Sequence, residues 1–100
     1  MVQGSTPLHT FVLPFSVDII RAVRVSYEQK KRIVLSKETE DISKNGNTIA
    51  LRLTQEETLL FDHSVPCRIQ LHILTTAGDA LPSRPKTVPV YILLDKRVIQ

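Results

Sequence analysis

The sequence is short of cysteine, glycine and aromatic residues, and each shortage argues against a class of protein. Its single cysteine excludes an intramolecular disulfide framework and a cysteine-based zinc finger. Its three glycines form no Gly-rich loop of the kind that cradles phosphate groups. Aromatic residues make up 5% of the chain, with no tryptophan, so a stacking platform for single-stranded nucleic acid is not expected.

Charge of one sign and long apolar runs are also scarce. Lys and Arg number 13 and Asp and Glu 10, giving a net charge of +3, with both signs mixed along the chain. Nucleic-acid binders usually gather basic residues on one face. Apolar runs span a few residues, whereas a transmembrane helix needs about 20. Because the short apolar stretch that ends at Pro14 follows no basic region, no secretory signal is recognised. We expect no membrane, no nucleic-acid partner, and folding in a cytoplasm.

What is present is the composition of one folded domain. The chain has 100 residues, of which 42% are hydrophobic and 23% are charged. This length lies at the mode for a single domain, and the apolar content is too high for an intrinsically disordered chain. We therefore expect a single domain over residues 1–100.

Apolar and polar residues alternate along four segments: residues 23–27, 49–53, 67–73 and 88–92. This period of two is typical of strands with one buried face, and the abundance of β-branched residues favours the same structure. Shorter strands are predicted at residues 8–13, 33–35 and 41–43.

Turn and helix signals separate these segments. Asn45-Gly46 predicts a type I′ hairpin turn between the strands at 41–43 and 48–53, and residues 77–79 and 82–85 indicate a longer connection before the last strand. Thr54 and Glu57 have the spacing of a capping box, which predicts one helical turn. Leu60 or Phe61 would then enter the core.

These elements predict an all-β fold, an immunoglobulin-like sandwich of two sheets. It would contain about seven strands and one short helical crossover turn between the fifth and the sixth. The Cys-Trp-Cys signature of true immunoglobulin domains is absent, so the likeness concerns architecture only. A small barrel is the competing all-β arrangement.

Residues that could carry chemistry have simpler structural interpretations. Cys67 alternates in phase with apolar neighbours, so we expect a buried small hydrophobe rather than a nucleophile. Asp62-His63-Ser64 contains the residue types of a hydrolase triad, but adjacent side chains in one loop diverge and indicate a polar turn. His9, His63 and His72 lack the close spacing of zinc ligands. We expect no catalytic residue, no metal and no cofactor.

Two surface regions are candidates for contacts. Lys30, Lys31 and Arg32 form the only run of three basic residues, a candidate patch for phosphate or an acidic protein surface, with a solvated hairpin turn as the alternative. Leu74, Tyr91 and Leu93 fall out of phase with the core. They indicate a partly apolar outer face, either a subunit interface or a face that a loop or terminus covers.

Three stretches carry a likeness that runs nearly end to end: residues 5–15 (STPLHTFVLPF), residues 53–58 (LTQEET) with Phe61, and residues 65–83. They resemble small, uncharacterised phage and prophage proteins of Firmicutes that are encoded among virion structural genes. The resemblance implies a context, virion morphogenesis. None of the stretches is a catalytic motif, so the resemblance assigns no functional residue.

The leading hypothesis is a non-enzymatic phage structural or assembly module that acts through protein–protein contacts in the head or tail. Its partners would be other phage structural proteins or further copies of itself, in the host cytoplasm during assembly and then in the virion. The alternative is a surface-binding module for a carbohydrate or a host-surface protein, which would need exposed aromatic residues at one end. An enzyme that uses Cys67 or His63 is the third hypothesis.

Overall fold

The computed structural model describes all residues 1–100 and contains eight strands in two antiparallel sheets. The strands are β1 (Leu8–Val12), β2 (Ile20–Gln29), β3 (Arg32–Lys37), β4 (Ser43–Asn45), β5 (Thr48–Arg52), β6 (Cys67–Thr75), β7 (Ala80–Pro82) and β8 (Lys86–Val88). The small sheet has the order β1-β5-β4. The large sheet has the order β3-β2-β6-β7, and β8 also pairs with β6. Two separate sheets confirm the predicted all-β sandwich and exclude the small barrel.

The inner faces of both sheets form one core, and the predicted alternation is confirmed there. In β2, Val23, Val25 and Tyr27 are buried between exposed or half-buried neighbours, and β6 has the same pattern from Cys67 to Ile73. From the small sheet, β5 contributes Ile49 and Leu51. All fifteen buried hydrophobic residues belong to this cluster. Burial of their apolar surface is the main favourable term in folding.

The predicted helical turn is α1 (Gln55–Thr58), which connects β5 in one sheet to β6 in the other. Both bonds of the capping box are present: Glu57 N donates to Thr54 Oγ1 (3.1 Å) and Thr54 N donates to Glu57 Oε1 (2.8 Å). Phe61 enters the core at 1% exposure, whereas Leu60 is 61% exposed. None of the helices has the length and apolar character needed to cross a membrane.

A buried glutamine at the end of β2 holds the crossover loop that follows α1. Gln29 Nε2 donates to Asp62 O (2.7 Å) and to Val65 O (3.1 Å), and Asp62 N donates to Gln29 Oε1 (2.8 Å). Gln29 is only 5% exposed. Its side-chain amide makes the hydrogen bonds that backbone groups of Asp62 and Val65 would otherwise make to water, and burying those groups without a partner would be costly. No buried side-chain nitrogen or oxygen lacks a partner.

The prediction of a type I′ turn at Asn45-Gly46 is wrong by one residue. Asn45 pairs with Thr48, so the central residues of the hairpin are Gly46 and Asn47. Only Gly46 has a positive φ (62°), as in a type II′ turn. Asn47 is held by Leu13, the residue after β1: its carbonyl accepts from Leu13 N (2.7 Å) and its Nδ2 donates to Leu13 O (3.3 Å). Residues 39–41 form a 3₁₀ turn, so the short strand predicted at 41–43 begins at Ser43.

The predicted last strand is shorter than the alternation indicated. Pairing with β6 covers only Lys86 to Val88, because Pro89 has no N–H to continue the ladder. Beyond it, a single parallel bridge joins Tyr91 to Val2. The additional strand β7 lies within the predicted connection.

Candidate functional site

The buried thiol lies where the alternation placed it. Cys67 is fully buried, and burial raises its pKa to about 11, which leaves the thiol protonated and a poor nucleophile near neutral pH. In the polar turn that precedes Cys67, Asp62 Oδ1 accepts from Ser64 N (2.8 Å) and from Ser64 Oγ (2.6 Å). The Ser64 hydroxyl is therefore bonded to a carboxylate, and the side chain of His63 is exposed between them.

Of the three histidines, only His9 is partly buried. His9 Nδ1 lies 2.7 Å from the Tyr27 hydroxyl, and burial, reinforced by the positive amino terminus, lowers the pKa of His9. Burial also raises the pKa of Tyr27, so the phenol stays protonated while it shares this hydrogen bond with His9. His63 and His72 are exposed. No three His, Cys, Asp or Glu side chains come together in an arrangement that could hold a metal ion.

The candidate basic patch lies at the tip of the β2–β3 hairpin. Lys30 and Lys31 are its two central residues, with φ values of 52° and 64°, and Arg32 begins β3. All three are exposed. Lys30 Nζ bonds to Asp62 Oδ2 (2.8 Å), and this ammonium, with the Ser64 bonds, keeps the pKa of Asp62 well below its usual range. The structure thus places these residues in a solvated hairpin turn with one of the charges paired.

The structure separates Leu74 from the other two candidate interface residues. Leu74 lies on the outer face of the large sheet, between Ala22 and Ala80, in a shallow hollow of about 250 Å³. It is near the end of β6, whereas β8, which leads toward Tyr91 and Leu93, pairs with the start of that strand. At about 3.3 Å per residue, the length of β6 separates Leu74 from the segment that carries Tyr91 and Leu93.

Tyr91 and Leu93 lie on a C-terminal segment that the N-terminus holds in place. Tyr91 N donates to Met1 O (2.8 Å), and Gln3 N donates to Tyr91 O (3.0 Å). The buried Gln3 side chain donates to Phe61 O (2.6 Å) and accepts from Leu93 N (3.0 Å). Leu93 is half-buried against the N-terminal segment, and Tyr91 is 58% exposed.

Several large apolar side chains are exposed on these two terminal segments. Leu94 is 90% exposed and Ile99 81% exposed. We call this region the terminal patch: Val2, Tyr91, Ile92, Leu94 and Ile99. Gln55 fixes its far end, because its side chain bonds to both backbone groups of Ile99 (2.7 and 2.9 Å). Large apolar side chains exposed on braced terminal segments make this region a candidate contact surface.

A second exposed surface is the edge of the small sheet. Leu53 N donates to Pro7 O (3.1 Å) at one end of β1, and Leu13 N donates to Asn47 O (2.7 Å) at the other. Hydrogen-bonded pairs alternate along an antiparallel ladder, so the odd-numbered residues of β1 bond to β5. The backbone groups of three residues point to the open edge: Leu8, Thr10 and Val12.

A groove of about 220 Å³ lies beside this edge. Residues of β1 line one side of it, and the other side is lined by Met1, Ile69, Lys86 and Val88. The inward side of β1 presents His9 and Phe11, which are half-buried. This surface is absent from the sequence predictions, although one signal was available: β1 reads LHTFV, with no charge and no internal proline to protect an edge.

The chain matches no family model, and no curated protein or solved structure matches it either.

Proposed function

We propose that the protein is a non-enzymatic structural or assembly module of a phage particle that acts through protein–protein contacts. The observation that carries this proposal is the terminal patch, where Leu94 and Ile99 are almost fully exposed. Covering one such aliphatic side chain is worth about 1.5–3 kcal/mol, so a partner that buries several of them gains substantial affinity. The phage context is supported by the resemblance of the three stretches described above.

The partner is another structural protein of the particle, in the host cytoplasm during assembly and in the virion afterwards. The terminal patch suits this role because it is presented on a braced segment. Bonds from Gln3, Gln55 and the Met1 backbone fix that segment, so little conformational freedom is lost on binding.

We also infer an immunoglobulin-like topology for the sandwich. In that topology one sheet has the order A-B-E-D and the other contains C, F and G, with C′ added beside C in the variable type. The small sheet order β1-β5-β4 corresponds to B-E-D, and β3-β2-β6 followed by β7 and β8 corresponds to C′-C-F-G. The α1 crossover then lies between E and F. An experimental structure in which β2 and β6 are not neighbours would contradict this inference.

The proposed function is tested by capturing the tagged protein from phage-induced host cells and identifying the bound proteins. We expect a virion structural protein with the wild-type chain and its loss with the double variant Leu94→Ser, Ile99→Ser. The matched control is Leu81→Ser, which removes an exposed leucine (40%) from β7, outside the terminal patch. Capture of no virion protein by the wild type, or equal capture by the double variant, would overturn the proposal.

A further inference from the structure

The open edge of β1 has the hydrogen-bonding groups that an added strand requires. Leu8, Thr10 and Val12 each point an N–H and a C=O away from β5, as the alternation of the ladder demands. Their side chains are exposed on the outer face, with Leu8 at 54% and Val12 at 74%. An extended peptide that pairs here would extend the small sheet by one strand.

The other sheet edges carry features that oppose such pairing. In β3, the register shift opposite Tyr27 and Glu28 leaves Val34 as an extra residue, and Lys37 forms a largely buried ion pair with Glu57 of α1. A bulge and an inward-pointing charge both protect an edge. The remaining edge strands β4, β7 and β8 have three residues each. Pro82 is the last residue of β7, and Pro89 follows β8. Only β1 is both five residues long and free of charge.

The groove beside β1 shows that a strand position of the sandwich is open. On that side the large sheet continues past β6 to β8, whereas the small sheet stops at β1. In the proposed topology β1 is strand B, whose free neighbour position is that of strand A. Side chains of a strand in that position would point into the groove, toward Met1, Ile69 and Val88.

The charge of the groove selects the occupant. Lys86 lines it, and none of the other lining residues carries a carboxylate. A second copy would offer its own β1, LHTFV, which has no carboxylate to pair with Lys86. The C-terminal segment of another copy would bring Lys96 and Arg97, and its carboxylate, Asp95, is already paired with Arg97. This segment is also bonded to its own Gln3 and Gln55. Neither complements a basic groove.

We propose that β1 accepts an extended segment of a partner protein as an added strand. In this segment apolar side chains alternate with polar ones, and a carboxylate faces Lys86. The backbone of this segment pairs with Leu8, Thr10 and Val12. Its inward apolar side chains fill the groove and cover the open side of the core. This surface shares no residue with the terminal patch, so the two proposals are tested by different variants and either can fail without the other.

The test uses a labelled, end-capped peptide in which valine alternates with threonine and one valine is replaced by glutamate, so that the carboxylate lies on the face that enters the groove beside Lys86. A matched peptide has lysine in place of the glutamate. Fluorescence anisotropy with the full chain gives the Kd of each. We expect the acidic peptide to bind at micromolar to millimolar concentration and more tightly than the basic one. No binding of the acidic peptide by the wild-type protein, or equal binding of both peptides, would overturn the proposal.

One variant removes the outward-facing donor and leaves the ladder to β5 intact. Thr10→Pro deletes an N–H that points to the open edge, a position where an edge strand tolerates proline. We expect the Kd of the acidic peptide to rise about tenfold or more, since a bond is lost and the ring blocks close approach. Lys44→Pro is the matched control on the β4 edge. Lys44 pairs with Ile49, whose backbone faces β1, so its N–H also points outward.

A charge reversal keeps the proposal testable if Thr10→Pro does not fold. Lys86→Glu should weaken binding of the acidic peptide about fivefold and strengthen binding of the lysine peptide. Leu94→Ser, in the terminal patch, should leave both Kd values unchanged. An unchanged Kd in folded Thr10→Pro, or a peptide preference that Lys86→Glu does not reverse, would refute strand addition at this edge.

Discussion

Replacement of Phe61 by alanine removes the side chain that packs between the crossover loop and the sheets. The Phe61 ring is 1% exposed and meets Tyr27 edge-on, with ring centroids 5.8 Å apart and an interplanar angle of 68°. Truncation of a buried Phe costs about 3–5 kcal/mol, because the transfer energy is lost and a cavity remains. The edge-on ring pair accounts for about 0.5–1.5 kcal/mol of this. The total free energy of unfolding of such a domain is about 5–15 kcal/mol, so this loss is a large part of it.

The assay is urea unfolding at pH 7, followed by far-ultraviolet circular dichroism, with the m-value checked for constancy. The matched control is Leu60→Ala, one residue earlier and 61% exposed, which should change the free energy of unfolding by no more than about 0.5 kcal/mol. If Phe61→Ala is too unstable to measure, Phe61→Leu should show a smaller loss in the same direction. A Leu60→Ala loss that equals or exceeds the Phe61→Ala loss would refute the placement of Phe61 in the core.

Three further perturbations have outcomes fixed by local geometry. Lys31→Gly should raise the free energy of unfolding in urea by about 1 kcal/mol, because Lys31 has a φ of 64°, a left-handed conformation that glycine adopts without penalty. Lowering the pH from 7 to 5 should destabilise the protein with a slope of at most about 1.4 kcal/mol per pH unit from His9. Its pKa is lowered in the folded state, so the unfolded chain binds the proton first, and stability present above the unfolded pKa is lost as the pH falls toward the folded pKa. Gln3→Ala should cost about 1–3 kcal/mol by leaving Phe61 O and Leu93 N without partners, and trypsin should then cleave after Lys96 faster.

Each of these outcomes has a control. Lys31→Ala keeps a side chain in the left-handed region and should not stabilise the hairpin. His9→Gln should abolish the change in the free energy of unfolding between pH 7 and 5, because this interval lies above the range where carboxylates titrate. A pH dependence that persists in this variant would contradict the assignment to His9. Thr6→Ala, at an exposed N-terminal position, should leave trypsin cleavage unchanged, and equal cleavage of Gln3→Ala and wild type would contradict the bracing role of Gln3.

Local patterns in the sequence predicted the elements whose stability is local. Alternation located β2, β5 and β6, because a strand with one buried face must repeat every two residues. The Thr54–Glu57 spacing located α1, since both capping bonds lie within four residues. Burial of Cys67 followed from its phase with Ile69 and Leu71.

Features that depend on pairing between distant residues could not be predicted in this way. The Gly46-Asn47 turn is set by bonds between Asn47 and Leu13, which are 34 residues apart. The two lysines at the β2–β3 turn have left-handed backbones that no local preference indicates. Gln3 gave no sequence signal, because its partners Phe61 and Leu93 come close only in the folded chain.

The open edge of β1 belongs to the same category. A strand's sequence does not state how many neighbours it has, so LHTFV could equally have been a central strand. Only the strand order shows that β1 pairs on one side. Once β1 is known to be an edge strand, its lack of charge indicates an unprotected edge, because natural edge strands usually carry features that prevent pairing.

Amide hydrogen exchange along β1 tests the central claim most directly, since it measures the pairing of each N–H. The N–H groups of His9, Phe11 and Leu13 bond toward β5 and should exchange slowly, whereas those of Leu8, Thr10 and Val12 should exchange fast. Uniformly slow exchange in the isolated protein would contradict the account by showing that both sides of β1 are paired. Uniformly fast exchange would contradict it by showing that β1 is not part of the sheet.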